Sequence, residues 1–276
     1  MTGPDRWGRI GDQKKRDGLQ QMKYLFYGIA SWLLMPVALI EGIKLRARTE
    51  RLHPPNGKSF GVVGQGAEPE YRILVMGDSS AAGVGADRIE DTIAPQIAAV
   101  VHERTGATIA WRSAGSNSAI CEQLRDYVVP NLERHDYTHV VIAAGTNDAK
   151  NYLTARRFKK GFGGLLYALR AKWPTATIIW SPVIDMRSVP AMPPLLARIL
   201  EMRVRIINRV GCRLCPERCA IAAPRLQPPD ASGFSADGFH AGASGYRYWA
   251  ELLAETLIEQ DGAARQTVTG QAKAAE

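Results

Sequence analysis

An apolar run that ends in small polar residues constrains the fold more than any other feature of this chain. Residues 71–77 (YRILVMG) are apolar and partly β-branched, which is typical of a buried strand. Asp78, Ser79 and Ser80 follow directly, and a glycine-containing loop comes next. Open α/β sheets carry their chemistry at the carboxyl ends of their strands. Ser79 is therefore a candidate nucleophile, although a simple turn would have the same sequence.

Strands and helices alternate along the chain after this run. Further strands are predicted at residues 108–112, 138–144, 176–180 and 220–223. Helices are predicted at about 91–104, 124–132, 155–171 and 195–214, with a last helix through Tyr246, Trp249, Leu253 and Leu257. Apolar strands separated by helices are typical of a parallel sheet covered on both faces. The sequence therefore predicts an α/β fold, a three-layer α/β/α sandwich with a mainly parallel five-stranded sheet.

Two later segments supply the partners that a nucleophilic serine needs. Asp237 and His240 are three residues apart in a loop before the last helix, so the carboxylate can fix the imidazole tautomer. Asn147 follows the third strand and could donate an amide N–H at the same edge as Ser79. Each pattern alone has a plainer interpretation, namely a capped loop for the first and a turn for the second. Their combination with Ser79 indicates nucleophilic catalysis.

These motifs together resemble those of the SGNH (GDSL-type) hydrolase family over about residues 71–258. GDSS at 77–80, GTND at 145–148 and DGFH at 237–240 are similar to three sequence blocks of the family, in the same order. The resemblance implies a flavodoxin-like fold and a catalytic triad of Ser79, Asp237 and His240. It also implies an oxyanion hole formed by the N–H of Ser79, the side chain of Asn147 and a backbone N–H of the second block.

The second block departs from the family pattern. The family has a glycine after its second strand, whereas residues 114–118 of this chain read AGSNS. By spacing, either Gly115 or Ser118 could take the place of that glycine, and both have the required backbone N–H. We therefore expect one of the two to complete the oxyanion hole. A serine there would change the backbone conformation and the room beside the acyl group.

The resemblance implies acyl transfer from an ester or thioester to water. We expect an esterase- or lipase-like hydrolase that acts on a small-molecule or lipid acyl ester and needs neither a metal nor a cofactor. An O-acetyltransferase or deacetylase that acts on cell-envelope carbohydrate is an alternative with the same triad. A non-catalytic anchored scaffold is a second alternative, because the second block is altered.

The positive charge of the chain is concentrated near its amino terminus. Residues 1–59 contain 11 Lys/Arg and 5 Asp/Glu, a net charge of +6, so the remaining residues contribute only +2 of the total +8. A domain with so little excess charge is not expected to bind nucleic acid. The basic residues flank an uncharged apolar run at 24–40, which extends to 43 if Glu41 is included. Such flanks are typical of a membrane segment.

The apolar run divides the chain into predicted regions. Residues 24–43 approach the ~20 residues that a spanning helix needs. We expect a basic segment (1–23), a single transmembrane helix (24–43), a linker (44–70), the hydrolase domain (71–258) and a disordered tail (259–276). A helix lying in the membrane plane is an alternative, but residues 25–40 have no polar face. The catalytic domain is expected to be extracytoplasmic (periplasmic), and the oligomeric state is undetermined.

Cys212, Cys215 and Cys219 form a second unusual cluster, and Cys121 lies elsewhere. A zinc site would need a fourth ligand from a distant residue. A disulfide would indicate an oxidising compartment. Their position at the end of a predicted helix favours unpaired thiols over both alternatives.

Overall fold

A six-stranded sheet lies at the centre of the chain. The computed structural model describes residues 5–274 apart from residues 67 and 229, with side chains described between residues 18 and 262. The strands are β1 (Phe60–Val63), β2 (Tyr71–Gly77), β3 (Ile109–Gly115), β4 (His139–Ala143), β5 (Thr177–Trp180) and β6 (Ile221–Ala222). Their spatial order is β1-β3-β2-β4-β5-β6. Strands β2 to β6 are parallel, and β1 pairs antiparallel with β3 at one edge.

Eight helices accompany the sheet in the described part of the chain. They are α1 (Asp5–Leu33), α2 (Met35–Arg48), α3 (Ile93–Thr105), α4 (Cys121–Gln123), α5 (Thr146–Lys150), α6 (Ala155–Lys172), α7 (Pro194–Glu217) and α8 (Ala243–Ala274). Helices α3 and α8 cover one face of the sheet, and α6 and α7 cover the other. This is the predicted three-layer α/β/α sandwich, and the order of the parallel strands is that of flavodoxin-like folds.

The central strand β2 shows why the sequence specifies a buried parallel sheet. Ile73 and Val75 pack on the α3 and α8 side, while Leu74 and Met76 pack on the opposite side. All four side chains have no exposed surface. Because alternate residues of a strand point to opposite faces, a strand covered on both sides must be apolar throughout.

Two predicted boundaries differ from the structure. The sheet has six strands instead of five, because β1 lies within residues 44–70, which were predicted to be a linker. Its residues alternate between exposed and half-buried, so this edge strand lacks the apolar run that identifies the others. The predicted disordered tail at 259–276 begins inside α8, which continues as a helix to Ala274. The other predicted region boundaries remain predictions.

The predicted second helix is a series of short turns. Helix α4 passes into a π-helical turn at Leu124–Val128 and then into a 3₁₀ turn at Val129–Asn131. Pro130 has no N–H to donate to a carbonyl four residues earlier, so an α-helical ladder cannot continue through it.

The predicted single transmembrane helix is broken in the structure. Helices α1 and α2 meet at Leu34 with a bend of 63°. Pro36 lies in the first turn of α2, where its missing N–H cannot extend the ladder of α1. Between residues 5 and 274, no single helix is both long and apolar enough to cross a membrane. The bent pair of α1 and α2 meets the criteria of length and composition only when its two helices are taken together.

Candidate active site

Ser79 lies in the tight turn that follows β2. The N–H of Val84 donates to the carbonyl of Ser79 (3.0 Å), and the N–H of Ala82 donates to that of Asp78 (3.1 Å). A Cβ on Gly77 would lie 1.9 Å from the carbonyl oxygen of Ala143 on β4, so only glycine fits at the strand end. This close approach brings the loops after β2 and β4 together.

The loop before α8 brings Asp237 and His240 to Ser79. The Nε2 atom of His240 is 3.1 Å from the Oγ atom of Ser79, and its Nδ1 atom is 2.6 Å from the Oδ2 atom of Asp237. When Nδ1–H donates to Asp237, Nε2 is free to accept the Ser79 hydroxyl proton. The three residues predicted as a triad therefore lie in one hydrogen-bonded chain, in the geometry of a nucleophile, a base and an orienting group.

Asp237 is held as a carboxylate by several donors. Its Oδ1 atom accepts hydrogen bonds from the Ser235 hydroxyl (2.8 Å) and from the N–H groups of Phe239 (2.8 Å) and His240 (2.9 Å). Burial alone would raise the pKa of Asp237, but these bonds and that to the imidazole lower it below its ordinary value. Asp237 is therefore charged and fixed in place beside His240.

A buried tyrosine joins α8 to the loop of the candidate nucleophile. The hydroxyl of Tyr246 donates to the carbonyl of Val84 (2.8 Å), and the whole side chain has no exposed surface. The sequence indicated only that Tyr246 packs on the sheet, and its helical spacing carries no signal of the hydroxyl contact. Helix α8 therefore follows the loop that contains His240 and also contacts the turn that holds Ser79.

Asn147 lies at the same edge of the sheet, and its amide group is already engaged. Its Nδ2 atom donates to the Oδ2 atom of Asp78 (3.2 Å) and to the carbonyl of Ala119 (3.1 Å). Asp78 is buried and also accepts a hydrogen bond from the N–H of Ser80 (3.1 Å). Burial raises the pKa of Asp78, against the lowering effects of that N–H and of Lys150. Asp78 therefore links Asn147 to the turn of Ser79.

Asp148, in α5, contacts the start of α4, a few residues after the second block. Both of its carboxylate oxygens accept from the N–H of Cys121, at 3.2 and 3.3 Å. Burial raises the pKa of Asp148 to about 6, although the Cys121 N–H opposes this effect. Burial, followed by the charge of Asp148, raises the pKa of the Cys121 thiol strongly. The Cys121 thiol is therefore neutral, whereas Asp148 is protonated below pH about 6 and charged above it.

The structure distinguishes the surroundings of the two candidate second-block residues. A Cβ on Gly115 would lie 2.1 Å from the backbone nitrogen of Ala82, so Gly115 lies directly under the turn of Ser79. Ser118 has φ +62°, the left-handed conformation that favours glycine. The N–H groups of Ser79 and Ser118 have no hydrogen-bond partner among the residues that the structure describes. Both are therefore available to an oxyanion.

The cysteine cluster lies away from these residues. Cys212 and Cys219 are exposed, Cys121 and Cys215 are buried, and all four are unpaired. In the described chain, no three His, Cys, Asp or Glu side chains are grouped so as to hold a metal ion. Burial raises the pKa of Cys215 to about 12. The cluster thus offers neither a disulfide nor a zinc site in this structure.

Comparison with solved structures supports the same fold. A lipase/acylhydrolase from Enterococcus faecalis is 19% identical, with a TM-score of 0.50 over 69% of this chain and 96% of that one. TesA is 17% identical (TM-score 0.55, 67% and 97% covered). The psychrotrophic esterase EstA from Pseudoalteromonas is 14% identical (TM-score 0.53, 70% and 100% covered). Likenesses at these identities show the fold.

The sequence itself matches a family model. No curated protein is significantly similar to the chain in sequence. The model of the GDSL-like lipase/acylhydrolase family matches residues 75–248, well over half of the 276 residues. That range includes all three blocks in which Ser79, Asn147 and His240 were found. The chain therefore belongs to the GDSL-like lipase/acylhydrolase family, and it is a carboxylic ester hydrolase.

Proposed function

We propose that the chain hydrolyses acyl esters through an acyl-enzyme intermediate on Ser79. The observation that carries this proposal is the continuous hydrogen-bonded chain from Ser79 through His240 to Asp237, with distances of 3.1 and 2.6 Å. A serine hydroxyl is a weak nucleophile until an adjacent base removes its proton. In this chain the base is within hydrogen-bonding distance and is oriented by a charged carboxylate.

The reaction proceeds in two acyl-transfer steps. Nε2 of His240 takes the proton of Ser79 as Oγ attacks the carbonyl carbon, and the protonated imidazole then gives that proton to the departing alcohol. Water attacks the acyl-enzyme in the second step, with His240 again as base, and releases the carboxylic acid and free Ser79. Asp237 remains charged in both steps and stabilises the imidazolium.

The oxyanion is proposed to rest on the N–H groups of Ser79 and Ser118 and on the amide of Asn147. Ser118 is favoured over Gly115 because its left-handed backbone suits the place of a glycine and its N–H has no partner within the described chain. Both amide hydrogens of Asn147 are bonded in the free enzyme, to Asp78 and Ala119. One of these bonds must therefore be exchanged for the oxyanion when substrate binds.

The substrate is proposed to be an acyl ester presented at a membrane. Support comes from the basic flanks and the apolar length of α1 and α2, which together have the composition of a membrane-associated segment. Extracytoplasmic localisation remains a prediction. External protease added to intact spheroplasts would digest a hydrolase domain on that side, and protection of the domain would contradict it.

A single substitution tests the chemistry. Ser79→Ala removes the nucleophile, and we expect turnover of aryl esters of graded chain length to fall to the background rate. Ser244→Ala is the control, because its hydroxyl is exposed and bonds only the carbonyl of Ser232. Retained turnover in purified Ser79→Ala protein would refute the proposed mechanism.

A further inference from the structure

One face of α1 is docked on α7 through aromatic rings and arginines. Each of three rings of α1 faces a guanidinium group of α7 within the ~6 Å range of a cation–π contact. The pairs are Tyr24 with Arg209 (4.2 Å), Tyr27 with Arg205 (5.9 Å) and Trp32 with Arg203 (5.8 Å). Trp32 also packs edge-on against Tyr152, with 5.6 Å between ring centroids. The apolar segment is therefore attached to the hydrolase domain along its length.

The opposite face of α1 is apolar and exposed. Its large residues recur at intervals of three and four, which places them on one side of the helix. They are Leu19, Met22, Phe26, Ile29 and Leu33, each 54–76% exposed. Leu39, Ile40 and Ile43 continue this outer face on α2, at 55–61% exposed. Within the described chain, these side chains project away from the core, and apolar surface of this extent indicates a partner.

The docking explains why the sequence showed no polar face across residues 25–40. An in-plane membrane helix normally has one face in lipid and a polar face in water. Here the face opposite to the outer face is covered by α7, so it carries aromatic and small residues such as Tyr27, Gly28 and Ser31. Protein replaces water on that side, and the usual amphipathic pattern is absent.

The geometry of the pair does not suit a transmembrane span. The uncharged run at residues 24–40 is divided at Leu34 by a bend of 63°. Its two halves therefore do not share the single axis of a straight spanning helix. A span would also carry Arg203, Arg205 and Arg209 into the hydrocarbon with α7, where arginine is strongly unfavourable.

We propose that α1 and α2 form an in-plane anchor whose outer face inserts into the surface of an anionic lipid bilayer while the inner face remains on α7. The charges around the outer face fit that partner. Lys23 lies beside the apolar stripe, and Arg46 and Arg48 follow it, while the acidic Glu41 is neutralised by Lys44 at 2.9 Å. Basic residues at such positions attract anionic head groups.

The anchor ends beside the candidate active site. Pro55, a few residues after α2, lies against Gly83 in the turn of Ser79. Desolvation and then the charge of Arg46 lower the pKa of Lys150, so α2 also lies near the loop after β4. If Ser79 acts as proposed above, the anchor holds its loop at the lipid surface, and the substrates are acyl esters of membrane lipids.

Vesicle flotation of the full chain tests the anchor. We expect the chain to float with vesicles of phosphatidylcholine and phosphatidylglycerol, and more weakly with phosphatidylcholine alone. Substituting Phe26→Asp and Ile29→Asp together should reduce the floated fraction at least tenfold, while turnover of a soluble ester stays within twofold. The control is Tyr167→Asp, an exposed aromatic position on α6, which should float as the wild type does. Equal flotation of the double variant would overturn the proposal.

Labelling from one side of the membrane separates an in-plane anchor from a span. Single cysteines replace Gly18 and Arg48, one at each end of the pair, in a chain with Cys212→Ser and Cys219→Ser. In sealed membranes from producing cells, an impermeant maleimide should label both positions from the same side. Labelling from opposite sides would establish a span and overturn the in-plane arrangement.

These readouts do not depend on the chemistry of Ser79. A chain that floats and is labelled from one side, but does not hydrolyse any ester, would contradict the proposed function and leave the anchor standing. A chain that hydrolyses soluble esters but does not float with vesicles would contradict the anchor and agree with the proposed function.

Discussion

Asp78 and Asp237 are both buried beside the candidate nucleophile, yet their surroundings change their pKa values in opposite directions. Asp237 receives hydrogen bonds from four donors, which outweigh the cost of burial and lower its pKa. Asp78 has fewer donors, and burial raises its pKa. The first carboxylate therefore supplies a charge next to His240, whereas the second holds Asn147 in place by its hydrogen bond.

Asn147→Ala tests the oxyanion donor at the residue scale. We expect kcat to fall about 100- to 1000-fold with little change in KM, because one donor contributes about 2.7–4 kcal/mol to the transition state. The control is Asn131→Ala, whose amide is exposed and donates to the carbonyl of Tyr127. Unchanged kcat in the Asn147 variant would exclude its amide from the oxyanion hole.

Gly115→Ala and Ser118→Gly test the second block. The added methyl at Gly115 would overlap the backbone of Ala82, so both activity and Tm should fall. Ser118→Gly keeps the N–H and suits φ +62°, so kcat should stay within a few-fold of the wild type. Steady-state kinetics and thermal unfolding measure both variants. A tolerated alanine at 115, or loss of activity on substituting glycine at 118, would contradict the assignment.

At the scale of elements, buried strands were predictable and edge features were not. Strands β2, β4 and β5 are largely apolar because both faces are covered, so their runs stand out in the sequence. The edge strand β1 is half-exposed and carries no such run. Pro36 lies at the break between α1 and α2, but proline is tolerated in membrane helices, so the sequence alone favoured one span.

Asp148 joins two elements, α5 and the start of α4, and its ionisation should change the free energy of unfolding. Its pKa is raised from 3.8 to about 6 in the folded chain. The folded chain therefore favours protonated Asp148. The contribution of this group to the free energy of unfolding is complete below pH about 4 and is lost as pH rises through about 6. A difference of about two pKa units is equivalent to roughly 3 kcal/mol in the free energy of unfolding.

Asp148→Asn removes this titration and keeps a carbonyl acceptor for the Cys121 N–H. Urea unfolding between pH 4 and 7 should show a shallower decline in the free energy of unfolding than in the wild type. The exposed Asp87→Asn serves as the control and should follow the wild-type profile. An identical slope in the Asp148 variant would show that this carboxyl group does not titrate in that range.

At the scale of the whole molecule, the candidate catalytic residues could be found in the sequence. The contacts that hold them in place could not. GDSS and GTND follow the neighbouring strands β2 and β4, so the parallel sheet brings Ser79 and Asn147 to one edge. DGFH joins them because it directly precedes α8, which packs along the sheet. The contacts of Asn147 with Asp78, of Tyr246 with Val84 and of α1 with α7 join distant segments. No local pattern marks such contacts, so they required the structure.

The most direct measurement is covalent labelling of the native chain with a serine-directed alkyl phosphonate. We predict one phosphonyl group per chain, mapped by peptide mass spectrometry to the peptide that contains Ser79, and labelling at least 100-fold slower in His240→Ala. Labelling at another serine, or an equal rate without the imidazole of His240, would contradict the account.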